Sequence, residues 1–214
     1  METSISSATP RPFREIPGLW LKVYHMDETF FADEALRVSG RNTVVGVFVS
    51  GVALAAEFIL AGATTNIFTK NFGSNPIEVL TLIFIILAVP MTLISFYLDT
   101  GLRALGALIF GGKGNFTTLA YLVSLFYVPL IIIAGLLGLI PFVGSLIGLV
   151  FAIYEIVLSV RAIKVAYKLG TGRAVGAYFA PVILLLFIPV CVIGILALLG
   201  PAIGTIFSNV VNGI

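Results

Sequence analysis

The feature that most constrains this chain is a long stretch without any charged residue. No Asp, Glu, Lys or Arg occurs between Lys113 and Glu155. As one helix the stretch would extend ~60 Å at ~1.5 Å per residue, about twice the hydrocarbon thickness of a bilayer. Pro141 lies inside it between Gly138 and Gly144, and these residue types favour a tight bend. The sequence therefore predicts two membrane spans joined as a hairpin, and an integral membrane protein.

Composition agrees with this prediction and excludes several kinds of site. Only 10% of the residues are charged and 59% are hydrophobic, whereas soluble domains carry roughly 25% charged residues. The single cysteine, Cys191, excludes an intrachain disulfide and a cysteine metal site, and the single histidine, His25, argues against zinc. We predict no metal and no cofactor. The first forty residues contain no continuous apolar run, so we expect an uncleaved first span rather than a signal peptide.

Five apolar segments are long enough to cross a bilayer. They cover residues 43–65, 77–98, 117–139, 142–165 and 175–199. Proline occurs inside the second, third and fifth segments, where neighbouring groups in a membrane bundle can satisfy the freed carbonyls, so we expect kinks. The predicted fold is an all-α bundle of five transmembrane helices.

The segments outside these spans have different compositions. Residues 1–15 predict a polar tail. Residues 16–42 combine aromatic and charged side chains, which indicates an amphipathic segment in the headgroup region or, alternatively, a partner-binding arm. Residues 100–112 carry leucines at helical spacing and are predicted to lie flat on the inner leaflet. Residues 200–214 predict a short apolar cap.

The basic residues give an orientation. With the N-terminus inside, eleven of the twelve Lys and Arg residues would be cytoplasmic and only Lys70 would be outside. Because basic residues resist translocation, we predict a cytoplasmic N-terminus and an external C-terminus. The predicted location is the cell membrane, as a multi-pass protein, or an endomembrane in a eukaryotic cell.

Two acidic residues lie well inside the predicted spans, Glu57 and Glu155. A charge at mid-membrane costs roughly 3 kcal/mol or more, which makes both residues functional candidates. They are expected to share a proton, or to pair with Arg161, if their helices touch. The alternative is that each is protonated, or hydrogen-bonded to a neighbouring helix, and only stabilises helix packing.

A predicted cytoplasmic rim collects further charged residues. Besides Arg161, they are Asp99, Arg103, Lys113, Lys164, Lys168 and Arg173. The rim suggests a docking surface for a protein or for anionic lipid headgroups, and the alternative is that topology alone places these residues there. Gly144 and Gly148 form a small-x-x-x-small pattern that favours close helix packing. The net charge of +2 does not suggest a nucleic-acid partner.

Three stretches resemble a known family. They are GGKGNFT at 111–117 with the following Ala120-Tyr121 and Tyr127-Val128-Pro129, the hairpin GLIPFVG at 138–144, and the end of the fourth span from Tyr154-Glu155 through Arg161-Ala162 to GTGRA at 170–174. Together with five spans and short loops they resemble the Yip family of Rab-GTPase-interacting membrane proteins. The resemblance covers about residues 20–199.

The resemblance implies a polytopic protein of membrane organisation, and it transfers no catalytic residue. Eukaryotic relatives bind Rab GTPases in vesicle traffic. This chain lacks their long cytosolic N-terminal region and their Asp-Leu-Tyr-Gly-Pro motif, and its compact form resembles the prokaryotic branch. A small GTPase is thus a partner that only the resemblance suggests.

The sequence favours a non-enzymatic protein that acts by contacts, as an accessory or scaffold subunit of a larger membrane complex or in membrane organisation. Its expected partners are the lipid bilayer and other membrane subunits or further copies of the chain. The alternative is a small transporter or channel-like protein that uses Glu57 and Glu155. A third hypothesis is leaflet shaping by flat segments at 16–40 and 100–112.

Overall fold

The computed structural model describes residues 9–25, 28–64, 76–140 and 143–212. Within these ranges the chain forms helices and no strand. A 3-10 turn at Phe13–Glu15 precedes seven α-helices: α1 Ile16–Val23, α2 Glu28–Glu34, α3 Gly40–Thr64, α4 Pro76–Ile109, α5 Phe116–Gly138, α6 Val143–Tyr167 and α7 Thr171–Asn212. The last five are each long and apolar enough to cross a bilayer. The all-α, five-span prediction is confirmed.

Helix α5 is the centre of the bundle. Of its most apolar stretch, 61% is buried, compared with 28% for α3 and for α6 and 0% for α7. It packs against α3 and α6 and also touches α4. Asn115 caps it, because the Asn115 side chain accepts a hydrogen bond from the Thr117 N–H at 2.9 Å. The charge-free stretch that predicted the hairpin thus supplies the buried centre.

The segment before the first span folds against the bundle. Ile16, Leu19 and Val23 of α1 and Phe31 of α2 belong to the buried hydrophobic core. Helix α1 packs on α5, and α2 packs on α6. We call this side of the molecule, where α3, α5 and α7 begin, the N-terminal end of the bundle. A headgroup-level position for residues 16–42 stays a prediction.

The structure differs from the sequence interpretation at the ends of two spans. Residues 100–109 do not form a separate flat helix, because α4 continues from Pro76 to Ile109 without a break. Its 34 residues would extend ~51 Å, well beyond the hydrocarbon layer. The hypothesis that a flat segment at 100–112 shapes the leaflet is therefore not supported by the structure. Helix α7 likewise runs past residue 199 to Asn212, so the expected cap continues the last span as far as the structure describes it.

Candidate functional site

A buried cluster of polar contacts inside the bundle is centred on Arg103 of α4. Only 6% of the residue is exposed. One guanidinium nitrogen, Nη2, lies 2.7 Å from Asp99 Oδ2 and 2.9 Å from Glu155 Oε1. The other, Nη1, donates a hydrogen bond to the Ser159 hydroxyl. The guanidinium also lies 5.2 Å from the ring centre of Tyr178. We call these five residues the Arg103 cluster.

The Arg103 cluster joins three helices. Asp99 and Arg103 belong to α4, Glu155 and Ser159 to α6, and Tyr178 to α7. Taking a guanidinium out of water is costly unless carboxylates and hydrogen bonds compensate for the lost hydration. Here two carboxylates, a hydroxyl and an aromatic face surround it, and the planar fork of arginine suits several partners at once. The arrangement fixes the register of α4, α6 and α7.

The cluster changes the expected partner of Glu155. One of the alternatives that the sequence left open was a pair between Glu155 and Arg161, and the structure pairs Glu155 with Arg103 instead. The physical reason is the length of α4, which carries Arg103 alongside α6. Arg161 is half-buried, and within the described ranges it forms no ion pair.

Glu57 occupies a different environment, on α3. It is 8% exposed, and neither carboxylate oxygen has a hydrogen-bond partner among the residues that the structure describes. Its carboxyl lies against Gly135 of α5, where a Cβ atom would come within 1.6 Å of Oε2. A larger residue at this position would require the Glu57 carboxyl to move.

The two intramembrane acids do not meet. Glu57 shares a small cavity with Ile132 and Leu136, whereas Glu155 shares another with Ile131 and Ala134. These residues lie on different faces of the central helix α5. A shared proton between the two carboxyl groups is therefore not what this arrangement provides.

The predicted rim divides into three kinds of residue. Arg103 is buried, and Asp99 binds it, so these two belong to the Arg103 cluster. Lys164 pairs with Glu28 of α2 at 2.9 Å, which ties the N-terminal segment to α6. Lys113, Lys168 and Arg173 are exposed at the N-terminal end of the bundle. These last three are the rim residues that the structure leaves accessible.

A second polar cluster was missed by the sequence interpretation. Glu34 of α2 is 1% exposed. Its Oε1 accepts a hydrogen bond from Arg11 Nε at 2.8 Å, and its Oε2 accepts one from the Tyr121 hydroxyl at 3.0 Å. The bond to Glu34 is the main reason why the pKa of Arg11 is raised above its ordinary value. The Asn42 amide donates to the Arg11 carbonyl oxygen at 2.8 Å. This cluster fastens the N-terminal segment to α3 and α5.

The two glycines predicted for helix packing have different surroundings. A Cβ on Gly144 would lie 2.7 Å from the Leu137 carbonyl oxygen, whereas one on Gly148 would meet nothing within 4 Å. We expect Gly144→Ala to lower stability by about 1–3 kcal/mol, because a backbone atom cannot move aside as a side chain can. Gly148→Ala is the matched control and should cost nothing. Unfolding midpoints in detergent check this, and equal midpoints for both variants would contradict it.

The described residues include no group of three His, Cys, Asp or Glu side chains that could hold a metal ion. The two polar clusters are paired internally, and their geometry is that of structural ties between helices. They hold together the N-terminal segment, the end of α4, the second half of α6 and the beginning of α7. The part of α7 from residue 190 to residue 204, which we call its outer part, is mostly exposed.

Comparison with protein-family models gives one match, the Yip1 domain, over residues 30–194. This range begins in α2 and ends within α7, so it takes in all five apolar helices. Comparisons with curated proteins and with solved structures gave no match. The model covers well over half of the 214 residues. The resemblance inferred from the sequence is confirmed, and the chain is a multi-pass membrane protein that belongs to the Yip1 domain family.

Proposed function

We propose that this chain is a non-enzymatic membrane protein that works by contact, as an accessory or scaffold subunit of a larger membrane complex. The supporting observation is the outer part of α7. The apolar stretch of this helix has none of its residues buried, although it is long enough to span a bilayer. Its buried residues, Ala174 and Ala177, lie in its first two turns.

The glycines of α7 strengthen the proposal. Elsewhere in the bundle, glycines allow close packing: a Cβ on Gly106 or Gly114 would come within about 2 Å of a backbone carbonyl oxygen. In α7, by contrast, a Cβ atom on Gly194, Gly200 or Gly204 would meet no other atom within 4 Å. Small residues at a helix surface let a second helix approach closely. The outer part of α7 therefore suits a helix of another membrane subunit.

The two polar clusters support a scaffold rather than a protein that changes conformation as it works. Both buried ion pairs are closed within the chain, and breaking either would leave a charge without compensation. A rigid N-terminal end then presents α7 at a fixed position. From the distribution of basic residues we also propose that this end lies in the cytoplasm, and from the family alone that a small GTPase is a partner to test.

The natural cysteine gives a direct test, because Cys191 lies in the outer part of α7. We expect cysteine cross-linking in native membranes to yield one discrete adduct with another membrane chain, and native gels to show the same pair at fixed stoichiometry. The matched control is Cys191→Ser combined with Ile86→Cys, which moves the thiol to an exposed position of α4. That variant should give no discrete adduct.

Two outcomes would change the proposal. An adduct of twice the chain mass would replace the accessory role by self-association. A monomer on native gels without any Cys191 adduct would overturn the contact function.

The second candidate function is transport. It is favoured by the carboxyl of Glu57, which has no hydrogen-bond partner among the described residues. In proteoliposomes, Glu57→Gln should abolish proton or ion flux if transport is the function, while the variant stays folded. Glu155→Gln is less informative, because Glu155 also holds Arg103. Absence of flux in the wild-type protein would remove this candidate.

A further inference from the structure

A wide apolar groove runs along the end of α4 and the beginning of α7, beside the contact between the two helices. Its volume is about 710 Å³, within the range of ~300–1,000 Å³ that ligand sites in proteins occupy. One wall is formed by Leu102, Leu105 and Ile109 of α4, and the other by residues of α7 from Gly176 to Phe187. All lining side chains are apolar. At its N-terminal end, Phe110 lies over Gly176, where a Cβ would come within 2.7 Å of the ring.

Helical spacing places Arg173 one turn before this groove. Residues 176, 180 and 184 line the groove, and they follow Arg173 by three, seven and eleven positions along α7. These spacings place Arg173 on the same face of the helix, one turn before the groove begins. The residue is exposed, and within the described ranges it forms no ion pair.

The charge around the groove is one-sided. Neither wall carries an acid, because no Asp or Glu occurs between Leu102 and Ile109 or after Glu155. The acids nearest to the walls in sequence, Asp99 and Glu155, are both bound to Arg103. The N-terminus of α7 adds the positive end of a helix dipole beside Arg173. An arginine fork forms paired hydrogen bonds with a phosphate group. A ligand with an apolar chain and an anionic phosphate head would thus match both the apolar walls of the groove and the guanidinium of Arg173.

We propose that this groove is a binding site for an anionic phospholipid, with one acyl chain along α4 and α7 and the phosphate at Arg173. A free phosphate ion would gain nothing from the apolar walls. The proposal adds a lipid ligand to the contact function without depending on it, because the partner surface lies on the outer part of α7. Lipid binding and partner binding are therefore measured separately.

The test uses the full chain in nanodiscs of equal phosphatidylglycerol and phosphatidylcholine, followed by native mass spectrometry of the released protein. We expect retained lipid to be enriched in phosphatidylglycerol. Arg173→Gln should lower this enrichment about fivefold, as expected for one juxtamembrane cation. Arg41→Gln is the matched control, since Arg41 is also exposed at the N-terminal end of the bundle, and it should leave the enrichment unchanged.

A second pair of variants tests the groove itself. Ala180→Trp should fill the groove and reduce retained lipid of both headgroup types about tenfold. Val182→Trp adds the same side chain at an exposed position of α7 outside the lining and should have no effect. Circular dichroism confirms that each variant is folded. Equal retention of both lipids by the wild type, or equal effects of the two tryptophans, would overturn the proposal whatever the cross-linking at Cys191 shows.

Discussion

Replacing Arg103 with methionine is expected to lower the free energy of unfolding by about 3 kcal/mol. The substitution leaves Asp99 and Glu155 without the cation that both bind, at 2.7 and 2.9 Å. Removing one partner of a buried ion pair typically costs ~3–5 kcal/mol. We expect the lower end of that range because the two carboxylates are themselves partly exposed, with 45% and 33% of their side-chain surface accessible. Unfolding in detergent micelles with increasing SDS measures the effect.

Two further variants make this result specific. Arg41→Met removes an exposed cation from α3 and should leave the unfolding midpoint nearly unchanged. Arg103→Met combined with Glu155→Met should be less destabilised than Arg103→Met alone, because apolar side chains of similar volume can replace a buried ion pair. If Arg103→Met unfolds at the same midpoint as Arg41→Met, the cluster contributes no stability and our interpretation fails.

The spans were predictable because the bilayer imposes a simple rule on sequence. Backbone polar groups in lipid must be hydrogen-bonded within the protein, so a helical chain crosses the bilayer only as long apolar helices. The charge-free stretch from Lys113 to Glu155 is too long for one crossing, and its proline between two glycines indicates the turn. Length and charge thus determine the five spans almost without reference to packing.

The partner of Arg103 was not predictable from the same information. Leu102, Leu105 and Leu108 form an apolar stripe that suits a helix lying flat on a membrane. In the structure the same stripe is exposed on a continuous α4, and the Arg103 side chain contacts residues of α6 and α7. A one-dimensional pattern does not distinguish these orientations, because both place one polar side chain opposite an apolar face. Only the continuation of α4 decides between them.

The Glu34 cluster shows a different limit of sequence reasoning. Its hydrogen bond to Tyr121 joins residues 87 positions apart, and Arg11 precedes Glu34 by 23 positions. Neither separation corresponds to a helical spacing or a turn motif. The mixed aromatic and charged composition of residues 16–42 did indicate a surface-bound segment. The composition could not show that the surface on which this segment packs is the helix bundle itself.

Gly106→Ala is expected to be the most damaging small substitution between helices α4 and α7. A Cβ at this position would lie 2.1 Å from the carbonyl oxygen of Ala177, which is a backbone atom. Real Cβ atoms do not approach that closely, so one helix must move by about 1 Å, and overpacking of this kind costs ~1–3 kcal/mol. Because Tyr178 follows Ala177 directly, the movement would also withdraw its ring from Arg103.

The control for this prediction is Gly101→Ala in the same helix, where a Cβ meets nothing within 4 Å. That variant should match or slightly exceed the wild type, since alanine favours a helix over glycine by up to ~1 kcal/mol. Unfolding midpoints of the two variants, together with lipid retention in nanodiscs, provide the measurement. If Gly106→Ala is as stable as Gly101→Ala and retains lipid equally, then α4 and α7 do not pack through Gly106. The groove and the contact of Tyr178 with Arg103 both depend on that packing, so both assignments would fail with it.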